Sequence, residues 1–327
     1  MLEHENPEVV GCKSSLDAAT AYVPYAKPMS VIIRPVGGLG NQLFIYSAGR
    51  ALAAREKTTL HIDRSYYVNN DSRLFELDSF EAKYLQIHSR QNIPRLSSSR
   101  FISLASRLKK SVFGSLSPEK VGLEEAFIFS PLVAEKNRPT MLHGYFQSWR
   151  YFDDLSLELR SELRSISDPS DWFFDISTKM SAAGPSVGLH VRRGDYLTNP
   201  YMGVVSDAYY EAALRRVKSL VGAFHIYVFS DDIESLSSSG FLSSWKPEVS
   251  FVKSPESSRP IESINLMSQC DHFVMANSSF SWWGAWLGDT SGKLVIYPRP
   301  WLAGSYVDDR DLALPHWMSL GDNREEG

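Results

Sequence analysis

The stretch Val31-Ile32-Ile33-Arg34-Pro35-Val36-Gly37-Gly38-Leu39-Gly40-Asn41-Gln42-Leu43-Phe44 decides how this chain folds. Val31–Arg34 is a short apolar run stopped by Pro35, which reads as a buried strand. Pro35 to Gly40 form a Gly-rich turn, and a helical spacing follows through Leu43, Phe44, Ser47, Leu52 and Ala53. Thr59-Leu60-His61-Ile62-Asp63 resumes as a strand. Strand, helix and strand in this order make a βαβ unit, which implies a parallel sheet carrying helices on its faces.

The same alternation returns beyond a hinge at Ala182-Ala183-Gly184-Pro185. Val187–Val191 reads as a strand, Ala208–Val221 as a helix and Phe224–Phe229 as a strand; Ile261–Ser268 is then helical, and His272–Ala276 and Leu294–Tyr297 are strands. Between the two halves lies a charged helix, Leu155–Ile166, punctuated by Asp168-Pro169-Ser170. The expected architecture is α/β: two doubly wound, Rossmann-like domains facing each other across a cleft. Residues 1–30 form a loose tail broken by Pro7, Pro24 and Pro28, 31–182 the N-terminal domain and 183–327 the C-terminal domain. His88–Ser117 holds six basic residues and no acidic one, with Phe101, Leu104, Ala105, Leu108 and Val112 at helical spacing. It reads as a basic insertion carrying one amphipathic helix.

Composition narrows the function classes. The 327 residues are 43% hydrophobic, enough for two cores, which excludes a disordered or fibrous chain. Lys and Arg number 34 against 38 Asp and Glu, a net charge of −4 that lacks the basic excess of a nucleic-acid binder. Cys12 and Cys270 are too few for a disulfide framework or a thiolate zinc site. The first 30 residues show no signal-peptide pattern and no apolar run is long enough to span a bilayer. A cytoplasmic chain is expected, with peripheral contact at the inner membrane through 88–117 as one option and a plain solvated helix as the other.

Four places carry candidate chemistry. In the turn, Gly38 and Gly40 let backbone approach a ligand at a helix N-terminus, and Asn41 can orient a hydroxyl; a tight strand–helix connection is the plainer reading. In His190-Val191-Arg192-Arg193-Gly194-Asp195-Tyr196, strand alternation puts Val187, Leu189 and Val191 on one face and His190 and Arg192 on the other. Arg192 and Arg193 suit phosphate, unless Arg193 only pairs with Asp195. Asp231 and Asp232 follow a strand and suit a metal, a base or ribose, or a helix cap, the cap being the default. Asp309 and Asp311 read as a solvated charge cluster. Asn277-Ser278-Ser279-Phe280-Ser281-Trp282-Trp283-Gly284 opens a helix whose donors suit an anion, while Trp282, Trp283 and Trp286 favour core packing. No Walker lysine loop and no metal cluster accompany them, so a nucleotide-sugar enzyme fits better than a kinase or dehydrogenase.

Taken in order, Gly37–Phe44, Gly144-Tyr145-Phe146-Gln147-Ser148, His190–Tyr196, Phe229-Ser230-Asp231-Asp232 and Asn277–Trp286 resemble the motifs of the α-1,2-fucosyltransferases of glycosyltransferase family 11. The resemblance spans about residues 31–301. It implies a GT-B fold, GDP-β-L-fucose as donor, and inverting transfer to the 2-hydroxyl of a galactoside without a metal ion or other cofactor. By similarity His190 meets the nucleoside, Arg192 the β-phosphate, and Ser278, Ser279 and Phe280 the phosphate and ribose. Asp231 or Asp232 takes guanine or ribose, and Asn41 lies near fucose and the acceptor hydroxyl. Asp195, just beyond the Arg pair, is the expected base, or else it orients Arg193. Departures from the family pattern are Ile45-Tyr46-Ser47 and Glu262-Ser263. The expected acceptor is a galactose-containing oligosaccharide, lipid-linked if the pathway makes a surface polysaccharide or O-antigen. The rival readings are another linkage, another GDP-sugar, or a non-catalytic glycan or nucleotide binder.

Overall fold

The structure, a computed structural model, describes residues 30–68, 73–80, 127–132, 140–194, 196, 202–302 and 308–321. The tail before residue 30, the basic segment 88–117 and Asp195 lie outside the described residues.

Strand β1 (Val31–Ile33) lies between β2 (Leu60–Ile62) and β3 (Thr140–Leu142), all parallel, with Ile32 opposite both His61 and Met141. Helix α1 (Leu39–Arg55) is the crossover from β1 to β2. The second sheet has six strands: β4 (Ser186–Val191), β5 (His225–Ser230), β6 (Val249–Phe251), β7 (His272–Val274), β8 (Val295–Arg299) and β9 (Met318–Gly321). They are parallel in the order β6-β5-β4-β7-β8-β9, so the direction of sheet growth reverses between β4 and β7. Two parallel α/β sheets facing across a cleft are the GT-B arrangement.

Local chemistry explains the elements. Helix α4 (Asp207–Val221) starts where Ser206 Oγ accepts from the Tyr209 N–H at 3.2 Å, and it stops at Gly222 with φ +85°. Its buried stripe of Tyr209, Tyr210, Ala213, Leu214 and Val217 covers Val187, Leu189 and Val191, the strand face read as core. Helix α1 has no such stripe: Leu39, Leu43, Phe44, Ile45, Tyr46, Ala48, Leu52 and Ala53 are buried around most of its circumference. The first sheet covers one side and helix α7 (Ser279–Leu287) of the second half covers another, so polar relief is needed on neither.

That shared helix packing fuses the two halves. Phe44 sits 4.5 Å from the ring of Trp282 and 5.0 Å from that of Trp283, and Phe152 stacks on Trp283 at 5.6 Å. All three tryptophans of α7 are buried, as expected, and one continuous core runs from β1 to α7.

Several features depart from the sequence reading. Helix α2 (Ser156–Arg164) is followed by a further helix, α3 (Asp171–Ala182), which packs on α6 (Pro260–Gln269) of the second half. Ser170 caps it, accepting from the Phe173 N–H at 3.2 Å. Strands β3, β6 and β9 also go beyond that reading. Asp309 and Asp311 are not a solvated cluster: Asp309 is buried and accepts from Arg299 at 2.8 Å. Asp311 pairs with Arg150 at 3.0 Å and accepts the Phe129 N–H at 2.9 Å.

Candidate active site

The carboxyl ends of both sheets open into one cleft of about 450 Å³, placed at the β4/β7 reversal where doubly wound sheets bind ligands. Gly40 belongs to the first turn of α1, and a Cβ built there would lie 2.6 Å from the Phe280 nitrogen and 2.6 Å from Ser279 Oγ. The N-termini of α1 and α7 therefore meet, and two positive dipole ends converge on the cleft. Trp283 Nε1 donates to the Gly40 carbonyl at 2.9 Å, which fixes that approach. Replacing Gly40 by Ala should lower stability by ~1–3 kcal/mol through overpacking, only partly offset by the ~1 kcal/mol gain in helix propensity. Thermal unfolding with and without GDP checks both the loss and a weakened ligand response.

Arg192 follows β4 directly. Its Nε lies 3.2 Å from Asp231 Oδ2 in an ion pair, its guanidinium lies 5.4 Å from the Tyr196 ring centroid, and both charged side chains are 21% exposed. The Asp231 contact orients a guanidinium, a group whose planar N–H donors suit phosphate oxygens. Asp231 also accepts the Arg193 N–H at 3.0 Å, and a Cβ at Gly194 would lie 2.4 Å from its Oδ2. Asp231 lines the cleft, and each of its oxygens makes a contact that shapes the arginine loop. The Arg193 side chain pairs with Asp207 at the start of α4, away from the cleft lining. Asp232 caps α5 (Ile233–Ser238), accepting the Ser235 N–H at 3.2 Å.

His190 lies in the cleft wall, buried, with its ring 5.8 Å from that of Phe280 and its Nδ1 without a hydrogen-bond partner. Burial, reinforced by Arg192, pushes its pKa down to about 3, so the imidazole is neutral and offers a ligand a polar nitrogen rather than a charge. Asn277 is held through Nδ2 by the Met202 and Gly203 carbonyls at 2.7 and 3.1 Å, while its buried Oδ1 has no partner. Ser278 caps α7 by accepting the Phe280 N–H at 3.3 Å. Ser279 Oγ donates across the cleft to Asn41 Oδ1 at 2.8 Å, and Gln147 Nε2 donates to the same oxygen at 2.7 Å. Asn41 is thus an interdomain clamp at its carbonyl; only its amide nitrogen is left to meet a ligand. Gly38 lines the cleft beside it.

Arg73 and Glu76 also line the cleft, as do Gln147, Ser254 and Ser258. No motif surrounds Arg73 and Glu76 in the sequence; they reach the cleft because Gln42, buried in α1, accepts the Glu76 N–H at 2.9 Å and donates to the Leu74 carbonyl at 2.8 Å. Glu262, where the family pattern was expected to differ, turns away from the cleft. Its carboxylate accepts the Ser170 N–H at 2.7 Å and the Arg259 N–H at 3.2 Å, tying α6 to α3. Its neighbour Ser263 faces the cleft and is 2.9 Å from Ser254 Oγ.

Two helix N-termini and an arginine at a sheet reversal make a site suited to a phosphorylated ligand. The model of glycosyl transferase family 11 matches residues 131–321, which include every one of these second-half groups. The chain belongs to glycosyl transferase family 11. Among its relatives, the O-antigen biosynthesis glycosyltransferase WbnK of Escherichia coli is 32% identical over 303 residues, 87% of this chain and 98% of that protein. An alpha-1,2-colitosyltransferase of Escherichia coli is 29% identical over 320 residues, 89% and 99% of the two chains. The galactoside 2-alpha-L-fucosyltransferase Sec1 of Mus musculus is 31% identical over 189 residues, about half of each chain at 54% and 50%. This family 11 protein is therefore a glycosyltransferase.

Proposed function

We propose that this glycosyltransferase moves L-fucose from GDP-β-L-fucose to the 2-hydroxyl of a terminal galactoside, with inversion and without a metal ion. The observation that carries the reading is that Arg192 and the α7 N-terminus line the same cleft. As the bond from fucose C1 to the β-phosphate oxygen breaks, the electron pair leaves with GDP and negative charge grows on that phosphate. Arg192, paired with Asp231, and the N-terminus of α7 at Ser279 both line the cleft and supply the counter-charge this reading needs. The acceptor oxygen approaches C1 from the opposite side, the side of α1, and loses its proton as the new bond forms.

His190 and the Asn277 side chain supply unpartnered polar atoms for the nucleotide within the same wall. The relatives that act on galactosides or in O-antigen synthesis support a galactose-containing acceptor, and a lipid-linked oligosaccharide of a surface polysaccharide fits that setting. Among the described residues no helix is long and apolar enough to cross a membrane.

A second reading follows from the colitosyltransferase relative: a colitosyl rather than a fucosyl donor. A panel of GDP-fucose, GDP-colitose, GDP-mannose and UDP-galactose, each with a β-galactoside, tests both. Turnover with GDP-fucose, undiminished by EDTA, is expected. Turnover confined to GDP-colitose establishes the second reading, and loss of activity on chelation overturns the metal-free mechanism.

A further inference from the structure

We infer that Glu76 is the general base that takes the proton from the acceptor hydroxyl; the assignment rests on the transferase reading above. Among the described residues the cleft is lined by two carboxylates, Glu76 and Asp231. Asp231 is committed to Arg192 and to the Arg193 N–H, on the wall that receives the leaving phosphate. Glu76 comes from the opposite wall, that of the first sheet and α1, the side from which an inverting attack must arrive.

Its position is built rather than incidental. The Glu76 backbone N–H donates to the buried Gln42 Oε1 at 2.9 Å, and its carboxylate accepts the Leu39 N–H in the first turn of α1. Helix α1 has no side-chain cap at Gly38 and no acidic residue in its own first turn, so this carboxylate arrives from elsewhere in the chain. A carboxylate offers about four lone-pair positions, and a single helix cap leaves room for a substrate hydroxyl. Half-burial raises the Glu76 pKa above the ordinary glutamate value, against the opposing pull of the Leu39 N–H and Arg73. That brings a carboxylate closer to the basicity a proton acceptor needs at neutral pH. The charged and titratable groups facing it are Arg73 on its own segment, Tyr67 beside it, and Arg192 and Asp231 across the cleft.

In the step itself, the acceptor O–H bond breaks and the proton goes to Glu76. The acceptor oxygen bonds to fucose C1, and the C1–O bond to the β-phosphate breaks with its electron pair leaving on GDP. Atoms and charge balance without a further reactant.

The competing role is a purely structural helix cap, and Glu76→Gln separates the two because an amide oxygen still accepts the Leu39 N–H but takes up no proton. Wild type, Glu76→Gln and Asp195→Asn are compared by initial rates with GDP-fucose and a β-galactoside across pH, by calorimetric GDP binding and by thermal unfolding. Glu76→Gln is expected to lose kcat by ~10²–10⁴-fold, to lose the acid limb of the pH profile, and to keep its Tm and GDP affinity. His190 does not mimic that limb, since it is neutral above pH of about 3. A Glu76→Gln enzyme within about threefold of wild-type kcat overturns the assignment, as does a rate loss matched by an equal loss of GDP affinity. Loss of the rate and the acid limb in Asp195→Asn alone assigns the proton to Asp195 instead. A wild-type enzyme that makes no fucosyl product overturns the parent reading, and this assignment with it.

Discussion

Arg192→Ala is expected to lower kcat by ~10³-fold or more while the protein stays folded, because a cationic clamp on a departing phosphate carries a comparable share of barrier lowering in other transfer reactions. The size of the effect follows from where charge appears. In the ground state the β-phosphate already has counter-charge from water and from the α7 N-terminus; only as the sugar departs does it gain the extra negative charge that Arg192 is aimed at. The loss should therefore fall on kcat more than on GDP affinity. Folding should survive because the pair with Asp231 lies at the cleft, one-fifth exposed on both sides, and Asp231 retains the Arg193 N–H after the arginine is gone. Arg192→Lys should recover a small part of the rate, since a point charge keeps attraction but loses the fork. Asp231→Asn should show a milder loss than Arg192→Ala, as it unfixes the guanidinium without removing it. Steady-state kinetics with calorimetric GDP binding read all three; a GDP affinity lost in proportion to the rate would show that Arg192 is a binding group only.

The second large effect is on stability. Trp283→Ala should cost ~3–5 kcal/mol, the usual range for deleting a buried large aromatic side chain. Trp283 is fully buried, touches Phe44 and Phe152 from the first half and Trp286 from its own helix, and donates to the Gly40 carbonyl. Its removal opens a cavity at the joint between the two sheets, where no single half can collapse to refill it. With a total stability on the order of 5–15 kcal/mol, that loss is a large fraction of the whole. Thermal unfolding should shift down by roughly 5–10 °C. Trp283→Phe, which keeps one aromatic ring but loses part of the indole volume and the hydrogen bond to Gly40, should cost less than Trp283→Ala, about 1–3 kcal/mol. The informative comparison is Trp245, stacked on Phe224 within the second half and not shared with the first. An equal loss from Trp245→Ala would show that the joint holds no special share of stability.

Four of the six strands of the second sheet are readable in the sequence because they alternate with helices and the longest, β4 and β5, span six residues each. His190 and Arg192 fell on the cleft side because period-two alternation leaves no other choice once Val187, Leu189 and Val191 are core. Strands of three or four residues, such as Thr140–Leu142 and Met318–Gly321, hold too few side chains to show any period, so β3 and β9 were not legible. Helix α3 was missed although Ser170 and Asp171 are a usable start signal; Asp168-Pro169-Ser170 drew the reading toward a turn.

The roles of the charged residues were the hardest to read, since each depends on a partner far away in sequence. Nothing around Arg193 names Asp207, nothing around Asp309 names Arg299, and nothing around Glu76 names Leu39. The tryptophan cluster worked the other way. Three large rings in one short helix have few alternatives to burial, and the surprise lies only in how far the core they join extends into the first half.

The most direct test of the account is the linkage in the product. Wild-type protein incubated with GDP-fucose and a terminal β-galactoside should yield one fucosylated product, and two-dimensional NMR should join the anomeric carbon of an α-fucosyl unit to O2 of galactose. A fucosyl unit on any other hydroxyl, a retained β configuration, or no fucosyl product despite GDP binding would contradict it.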